Sequence, residues 1–308
     1  MPLPKPRIGE NRQDFLDRCI LNTEIQNEFN NIDQRVAVCS NLFENKSLIK
    51  ATKEEKDWQE NFENELDRNE QKEIIPVKRY LTREYNKATA DYLQNQNTNN
   101  WSNLFKEYEI AAIYAVLYSN IGLNFAKLFK KLNQGKFPNE FNTDNYNNIW
   151  RDKFRETGLK ISQFKGKNVS LTSQKEITNI ISKLHKSPEF QALNEREAGR
   201  ILKSRFGNLA DYKAKRIVRT EATNAANFAT LQTANDMYGI ANIEKTWLAS
   251  FVNTRDTHAA ANGQKVNGDG KFNVGGEYLS HPGSGSLAEN NINCKCTILI
   301  KPKPIPEF

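Results

Sequence analysis

The chain has 308 residues, of which 26% are charged and 10% aromatic, and its mean hydropathy is -0.74. This composition excludes an intrinsically disordered chain and predicts a folded protein with room for two or three domains. The net charge of +7 is uneven, because residues 151–220 hold seventeen Lys and Arg against seven Asp and Glu. That segment carries +10 and the remainder -3, so the basic character belongs to one part of the chain.

Residues 1–50 predict a small helical module. Its apolar residues recur at helical spacing around two cysteines: Phe15, Cys19, Ile20, Val36, Cys39 and Phe43. We expect Cys19 and Cys39 to be buried free thiols, because four cysteines are too few for a disulfide framework and a reducing compartment keeps thiols reduced. Residues 1–9 lack the apolar core of a secretory signal, so we expect a cytoplasmic setting.

Residues 51–205 predict a helical region. Thr52 and Glu55 fit a capping box at the start of a long amphipathic helix, which Pro76 should end or kink. Further helices are predicted over residues 80–94 and 102–133, with the polar segment 94–100 between them. Residues 110–126 carry no charge, but four polar or glycine residues dilute them, so they indicate a buried helix and no stable membrane span.

The helical pattern continues past an Asn-rich loop at residues 139–148. Capping signatures at Ser173 to Glu176 and Asn194 to Glu197 precede a helix over about residues 209–237, which Gly239 closes. Beyond it, residues 243–251 and 296–301 resemble strands, and residues 266–276 carry hairpin-type turn signals.

The fold class is therefore α+β, with a mainly helical N-terminal two thirds and a long helix that feeds a small β-containing C-terminal domain. The predicted domains are residues 1–50, 51–205 and 206–308. We find no internal repeat of 20 to 50 residues.

Cys294 and Cys296 are the strongest candidates for chemistry. In a strand their side chains would point to the same face and could reach one ion. With His258 and His281 they make a candidate closed tetrahedral zinc site. The irregular spacing leaves two alternatives open, namely paired or buried thiols and a catalytic cysteine.

Charged residues on the predicted helices have both functional and ordinary interpretations. Arg196, Arg200 and Lys203 share one face, which can contact DNA phosphates without reading sequence or simply remain solvated. Arg219 and Glu221 inside the long helix would ordinarily be solvated, and His185 would be an exposed helix histidine. The Gly/Ser-rich segment 281–286 lacks the features of a phosphate-binding loop.

The C-terminal residues together resemble the phage Mu F-like minor head proteins, also called head morphogenesis proteins. The residues that carry the resemblance are Arg219, Thr220, Glu221, Asn224, Trp247, Thr254, Arg255, His258, Asn262, Gly263, Gln264, Phe272, Pro282, Gly283, Asn293, Cys294 and Cys296. The chain departs from the family pattern in two places. Residues 251–253 replace a usual acidic residue, and Asn262 replaces the usual Asp before Gly263.

The resemblance implies a low-copy protein inside the virus head, near the portal. It would act in procapsid assembly, DNA packaging or ejection, with the portal protein, capsid or scaffold proteins and packaged double-stranded DNA as partners. Before incorporation it would lie in the host cytoplasm. The family fold itself implies no enzymatic activity.

The N-terminal residues are similar to a short module of phage head-assembly proteins. The matching positions are Phe15, Arg18, Cys19, Phe29, Gln34, Arg35, Ala37 and Cys39. Two other functions stay open. One is an enzyme, either a zinc hydrolase or an ADP-ribosyltransferase-like protein around Arg219 and Glu221, although HExxH and a C-terminal Glu-x-Glu are absent from the sequence. The other is a non-specific DNA-binding accessory protein.

Overall fold

A computed structural model describes residue 4, residues 11–28, residues 32, 35, 36, 38–40, 42 and 43, and residues 52–133, 143–250 and 254–303. Several residues of the sequence analysis lie outside this set: Phe29, Gln34, Ala37, residues 251–253, residues 139–142 of the Asn-rich loop, and residues 1–9 apart from Pro4.

The N-terminal module contains α1 (Arg12–Ile20) and α2 (Thr23–Glu28). Its small core holds Phe15, Leu16, Ile25 and both cysteines. Cys19 and Cys39 form a disulfide with a Cα–Cα distance of 5.8 Å, so the expectation of free thiols was wrong. Both side chains lie on the inward apolar faces of helical segments, and burial in one small core brings the two sulfurs together.

Long helices make up most of the chain: α3 (Lys53–Asn95), α4 (Glu107–Leu132), α5 (Thr143–His185), the short α6 (Pro188–Gln191) and α7 (Glu195–Tyr238). The predicted capping boxes at Thr52 and Asn194 are confirmed. Within the described residues, no helix is both long and apolar enough to cross a membrane.

Two expectations about helix boundaries were wrong, and of the two outcomes expected at Pro76, an end or a kink, the first is excluded. Pro76 does not end α3, because its side chain lies on the exposed face while its neighbours bury the opposite one. Ser173 lies in the middle of α5, where its hydroxyl donates to the Val169 carbonyl instead of capping a helix. Residues 143–148 of the Asn-rich segment are the first turns of α5.

The helices α3 and α7 run antiparallel. The rings of Tyr85 and Phe206 stack with centroids 5.1 Å apart, and Lys78 binds Asp211 at 2.7 Å. Helix α4 crosses α5 closely at Gly158, where an added Cβ would lie 2.5 Å from the Tyr114 carbonyl oxygen. These contacts build one continuous helical core.

The C-terminal unit contains two small antiparallel sheets. One has the strand order β2 (Lys265–Asn267), β1 (Ile243–Leu248) and β5 (Thr297–Pro302), and the other is the hairpin of β3 (Phe272–Val274) and β4 (Glu277–Leu279). The turn signals were therefore real, but β2 pairs with β1 and the hairpin turn is Gly275-Gly276. Two short helices, α8 (Asp256–Ala260) and α9 (Ala288–Asn291), complete the unit.

The α+β architecture is confirmed, and α7 connects its two parts. The predicted boundary between residues 205 and 206 falls inside α7. One hydrophobic core runs from Trp58 of α3 to Ile300 of β5. Hydrogen bonds also join α3 to the C-terminal unit. The Trp58 indole donates to Thr297 Oγ1 at 3.2 Å, and Gln59 donates to the Ala249 carbonyl at 2.7 Å.

Candidate functional site

A polar stripe on α7 holds the chain that leads into β5. Thr220, Thr223 and Asn227 follow one another at i, i+3 and i+7, so they share one face of the helix. The Thr220 hydroxyl accepts from the Asn293 amide at 3.3 Å, and the Thr223 hydroxyl donates to the Cys294 carbonyl. Asn227 donates to the Cys296 carbonyl at 3.0 Å and accepts from the Ile298 amide at 3.1 Å. The stripe thus binds the backbone of residues 293, 294, 296 and 298 and holds this segment against α7.

His258, Cys294 and Cys296 form a compact buried cluster. Their ligand atoms all lie within 4.8 Å of one another. His258 Nδ1 is 3.3 Å from the Cys296 sulfur and 3.5 Å from the Cys294 sulfur, and the three residues are at most 2% exposed. The cysteines precede β5, so the expectation that they lie in a strand was wrong, although the two thiols do converge. This donor set can hold a soft divalent metal ion.

Local backbone features position the cluster. Asn293 has φ 56°, a left-handed conformation that Asn adopts more readily than most residues, and this turn directs the following cysteine inward. Arg255, the residue before α8, donates to the Ile292 carbonyl and ties α8 to the same loop. The Trp247 ring packs edge-on against His258, with centroids 5.7 Å apart.

Gly263 and Asn262 fix the turn that follows α8. Gly263 has φ 78°, which favours glycine, and its amide donates to the Trp247 carbonyl at 2.8 Å. The side chain of Asn262 accepts from the Ala249 amide at 2.9 Å. The side-chain amide of Asn262 therefore serves as a structural hydrogen-bond acceptor.

The two thiols have opposite pKa shifts. A hydrogen bond from the Cys296 thiol, together with the adjacent His258, lowers the pKa of Cys294 to about 5, although burial opposes the shift. The same pairing, with burial, raises the pKa of Cys296 well above its ordinary value. The first thiolate to form is therefore that of Cys294.

The cluster opens onto a cavity of about 550 Å³ between α3, α7 and the C-terminal unit. Its lining residues come from all three parts: Glu63, Asp67, Arg219, Ser250, Thr254, Arg255, His258, Asn293, Cys294, Lys295 and Cys296. Lys295 binds Asp67 at 2.7 Å, and Arg219 lies 3.7 Å from Glu70. Seven of the seventeen residues that carry the family resemblance thus share one cavity.

Glu221 lies on another face of α7 and is only 3% exposed, so the expectation of a solvated residue was wrong. The Tyr118 hydroxyl donates to its carboxylate at 2.7 Å, and Lys165 binds it at 2.9 Å. Asn224 donates to the same tyrosine oxygen at 2.8 Å. A buried carboxylate is costly unless it has partners. The partners of Glu221 come from α4 and α5, so these bonds join both helices to α7.

The remaining histidines lie apart from the cluster. The His281 ring packs against Phe228 with centroids 6.1 Å apart, and its Nδ1 lies 3.1 Å from the Pro282 carbonyl oxygen. Burial lowers the pKa of His281 to about 4. His185 is half-buried, and the Tyr92 hydroxyl lies 2.9 Å from its Nδ1, so it is not the fully exposed histidine that we expected.

The basic residues Arg196, Arg200 and Lys203 are all exposed on α7. Their helix face continues into a groove between α3 and α7, which is lined by five cations, Lys78, Arg79, Arg83, Lys87 and Lys215. Among the residues that line this groove, Asp211 is the one carboxylate, and its bonds to Lys215 and Lys78 lower its pKa to about 2. The residues that line the groove are therefore positive in sum, although Arg83 and Lys87 also bind Glu84 outside the lining at 3.0 and 2.6 Å.

Sequence reasoning missed several residues that complete the site. Thr223 and Asn227 hold the cysteine loop, and Ser250 provides a backbone hydrogen bond to the Cys296 sulfur. One signal was available, because Thr220, Thr223 and Asn227 form a polar stripe in an otherwise alanine-rich helix. Glu63 binds Ser250 and Lys165 binds Glu221, each from a helix distant in sequence. No local sequence pattern indicates either contact.

The fold and the site define a protein in which the long helix α7 binds a small α+β unit through buried polar side chains. Residues 173–299 match the family described as Phage Mu protein F like protein. The matched range contains α7 and the His/Cys cluster. The C-terminal part of the chain is therefore similar to the Phage Mu F-like proteins, and this match supports a phage head morphogenesis protein.

A curated protein also shares part of the sequence. The NAD(+)--arginine ADP-ribosyltransferase EFV of Enterococcus faecalis (strain ATCC 700802 / V583) is 34% identical over 93 residues, which cover 29% of this chain and 19% of that protein. The chain thus spans about a fifth of this relative. No solved structure is significantly similar to the chain.

Proposed function

We propose that this protein is a minor head protein of a tailed bacteriophage, located inside the capsid near the portal. It acts in procapsid assembly, DNA packaging or ejection, and it contacts the portal protein and capsid or scaffold proteins. The observation that carries the proposal is the Phage Mu F-like match over residues 173–299, which includes the helix and the loop that form the site.

Mass spectrometry of purified particles tests this role. We expect the chain in procapsids and in mature virions, at a copy number far below that of the major capsid protein. Cross-linking in procapsids should join it to the portal protein. Absence from both kinds of particle would overturn the proposal.

We also propose that the basic surface of α3 and α7 contacts packaged double-stranded DNA through its phosphates. Five cations line the groove, and the exposed stripe of Arg196, Arg200 and Lys203 extends it along α7. Phosphate contacts release counterions, so binding should weaken steeply with salt.

Charge reversal distinguishes this contact from general attraction. The pair Arg200→Glu and Lys203→Glu should reduce both duplex affinity and its salt dependence. The matched pair Lys265→Glu and Lys271→Glu changes the same net charge on exposed residues of the C-terminal unit and should affect binding far less. Equal losses from the two pairs would remove the proposed surface.

We propose Zn²⁺ as the ion of the His258, Cys294 and Cys296 cluster, with a structural role. Two thiolates and an imidazole are soft ligands that suit zinc. The cluster joins α8 to the loop before β5, so bound metal would cross-link the two. We expect about one zinc per chain by elemental analysis, and a lower melting temperature in chelator. Metal-free protein of unchanged stability would contradict this role.

The ADP-ribosyltransferase alternative is favoured by one observation, the partial similarity to the enterococcal protein. The geometry argues against a reactive centre at Glu221, because its carboxylate is buried and bound by Tyr118 and Lys165. Incubation with labelled NAD and an arginine-containing acceptor tests the activity. Label transfer that is lost in Glu221→Gln would favour the enzyme over the structural protein.

A further inference from the structure

The donor set of the cluster is incomplete for a tetrahedral ion. Zinc takes four ligands in structural sites, whereas three ligand atoms converge here among the residues that the structure describes. The sequence contains three histidines and four cysteines, so four further His or Cys side chains could provide the fourth ligand.

Each of the other soft donors is engaged elsewhere. Cys19 and Cys39 are joined in a disulfide in the N-terminal module. His185 lies beside the Tyr92 hydroxyl, and His281 packs on Phe228 outside the group of converging ligand atoms. A fourth protein ligand would therefore have to be an oxygen donor.

The carboxylates that line the cavity have other partners. Asp67 binds Lys295 at 2.7 Å, and Glu63 accepts from Ser250 Oγ at 3.2 Å and from Gln59 at 3.3 Å. Neither carboxylate belongs to the group of ligand atoms that lie within 4.8 Å of one another. Among the described His, Cys, Asp and Glu side chains, none adds a further ligand atom on the side of the cluster that faces the cavity of about 550 Å³.

The charges around the cavity indicate which ligand fits that side. Two thiolates neutralise a divalent ion, so the centre itself is neutral. The cavity lining adds three cations, Arg219, Arg255 and Lys295, against the two carboxylates of Glu63 and Asp67. One positive charge is in excess within the lining itself, although Glu70 outside the lining lies 3.7 Å from Arg219. The two guanidinium groups of the lining can donate to a small anion, which favours an anion over a cation.

We propose that the cluster is an open metal centre with three protein ligands, whose fourth position faces the cavity and holds an exchangeable water or small monoanion. This inference rests on the metal proposed above and replaces the closed set of two histidines and two cysteines. An open position is the arrangement that metal sites use when they bind or exchange a ligand.

Cobalt(II) substitution with azide as the probe tests the proposal on the full-length protein. We expect one Co²⁺ per chain with a sulfur-to-cobalt charge-transfer band, and a saturable change of the visible ligand-field spectrum when azide is added. His281→Asn should leave Co²⁺ affinity unchanged. Cys294→Ser should reduce it by more than about 100-fold, since loss of an outer-shell partner alone costs about 10- to 100-fold.

A matched pair on α7 tests the cavity side. Arg219 lines this cavity, whereas Arg216 lines a separate cavity with Lys165 and Glu221. Arg219→Ala should weaken azide binding several-fold without changing Co²⁺ affinity, and Arg216→Ala should change neither. Circular dichroism of each variant establishes that it is folded.

The outcomes separate the two proposals. Folded protein that binds no Co²⁺ would overturn the metal site and the open position together. If azide does not change the spectrum of the Co²⁺ complex, or if His281→Asn lowers Co²⁺ affinity, the open position is overturned. The proposed metal site is retained in either case.

Discussion

Single buried side chains bind the C-terminal unit to the rest of the molecule. Asn227 satisfies two backbone groups of the cysteine loop at once, and Glu221 is kept buried by two partners. His281 is buried as a neutral imidazole, with Lys245 and Lys165 near enough to disfavour its charged form. Asn227 and His281 each give a prediction about stability.

Asn227→Ala should lower the free energy of unfolding by about 2 to 4 kcal/mol, because it leaves the Cys296 carbonyl and the Ile298 amide without their partners in a buried environment. Urea denaturation measures the loss. Asn208→Ala on the exposed face of the same helix is the control and should change stability little. Similar losses in both variants would mean that helix propensity, not the buried bonds, controls the result.

Protonation of His281 should destabilise the protein. Its folded pKa of about 4 lies below the ordinary 6.5, so the unfolded chain binds more protons between these values and stability falls as pH falls through this window. Between pH 7 and pH 5 the loss should be about 2 kcal/mol. Denaturation in chelator at both pH values should show a smaller pH effect in His281→Asn than in the native chain. Equal pH dependence would contradict a buried neutral His281.

At the scale of elements, α3 and α7 are the two long helices that other parts pack against. Helix α3 contacts α7 along its length and reaches β5 through Trp58. The capping boxes were predictable from Thr52 and Asn194, because the cap is a local interaction. The continuation of α3 past Pro76 was not, since tertiary packing of Val77 and Tyr80 outweighs the missing hydrogen bond.

Pro76→Ala should stabilise the protein. The exposed position tolerates the change, and a restored backbone amide can bond to the carbonyl one turn earlier, so we expect a gain of about 1 to 3 kcal/mol by urea denaturation. Lys72→Ala, also exposed on α3, should give a change near zero. A destabilised Pro76→Ala would show that the packing of α3 depends on a bend at the proline.

At the scale of the whole molecule, the described residues form two separate hydrophobic cores. The N-terminal module has its own core around the disulfide, whereas one core spans the long helices and the C-terminal unit. A cross-link stabilises mainly the unit that contains it.

Cys19→Ser should therefore unfold or loosen the N-terminal module while the main core stays intact. With a sequence separation of 20 residues, the lost stabilisation should be about 3 kcal/mol. Hydrogen exchange should rise in α1 and α2 and stay unchanged in α4 and α7. Faster exchange throughout the chain would mean that the two cores fold as one.

The sequence by itself determined the α+β class, the order of helices before strands, two of three capping signals and the family resemblance of the C-terminal residues. These depend on periodicity, caps and motif spacing, which are local properties. It also placed His258, Cys294 and Cys296 in one candidate site. The sequence did not predict the disulfide, the burial of Glu221 or the pairing of β2 with β1.

Only the tertiary structure decided which donors meet. His258 lies in α8 and the cysteines precede β5, so the cluster joins residues 36 and 38 positions apart. Helices α3 and α7 provide the walls of the cavity, through contacts such as Ser250 to Glu63 that span 187 positions. It also separated His281 from the cluster and aligned the polar stripe of α7 with residues 293–298. Long-range packing sets these distances, and no local pattern encodes them.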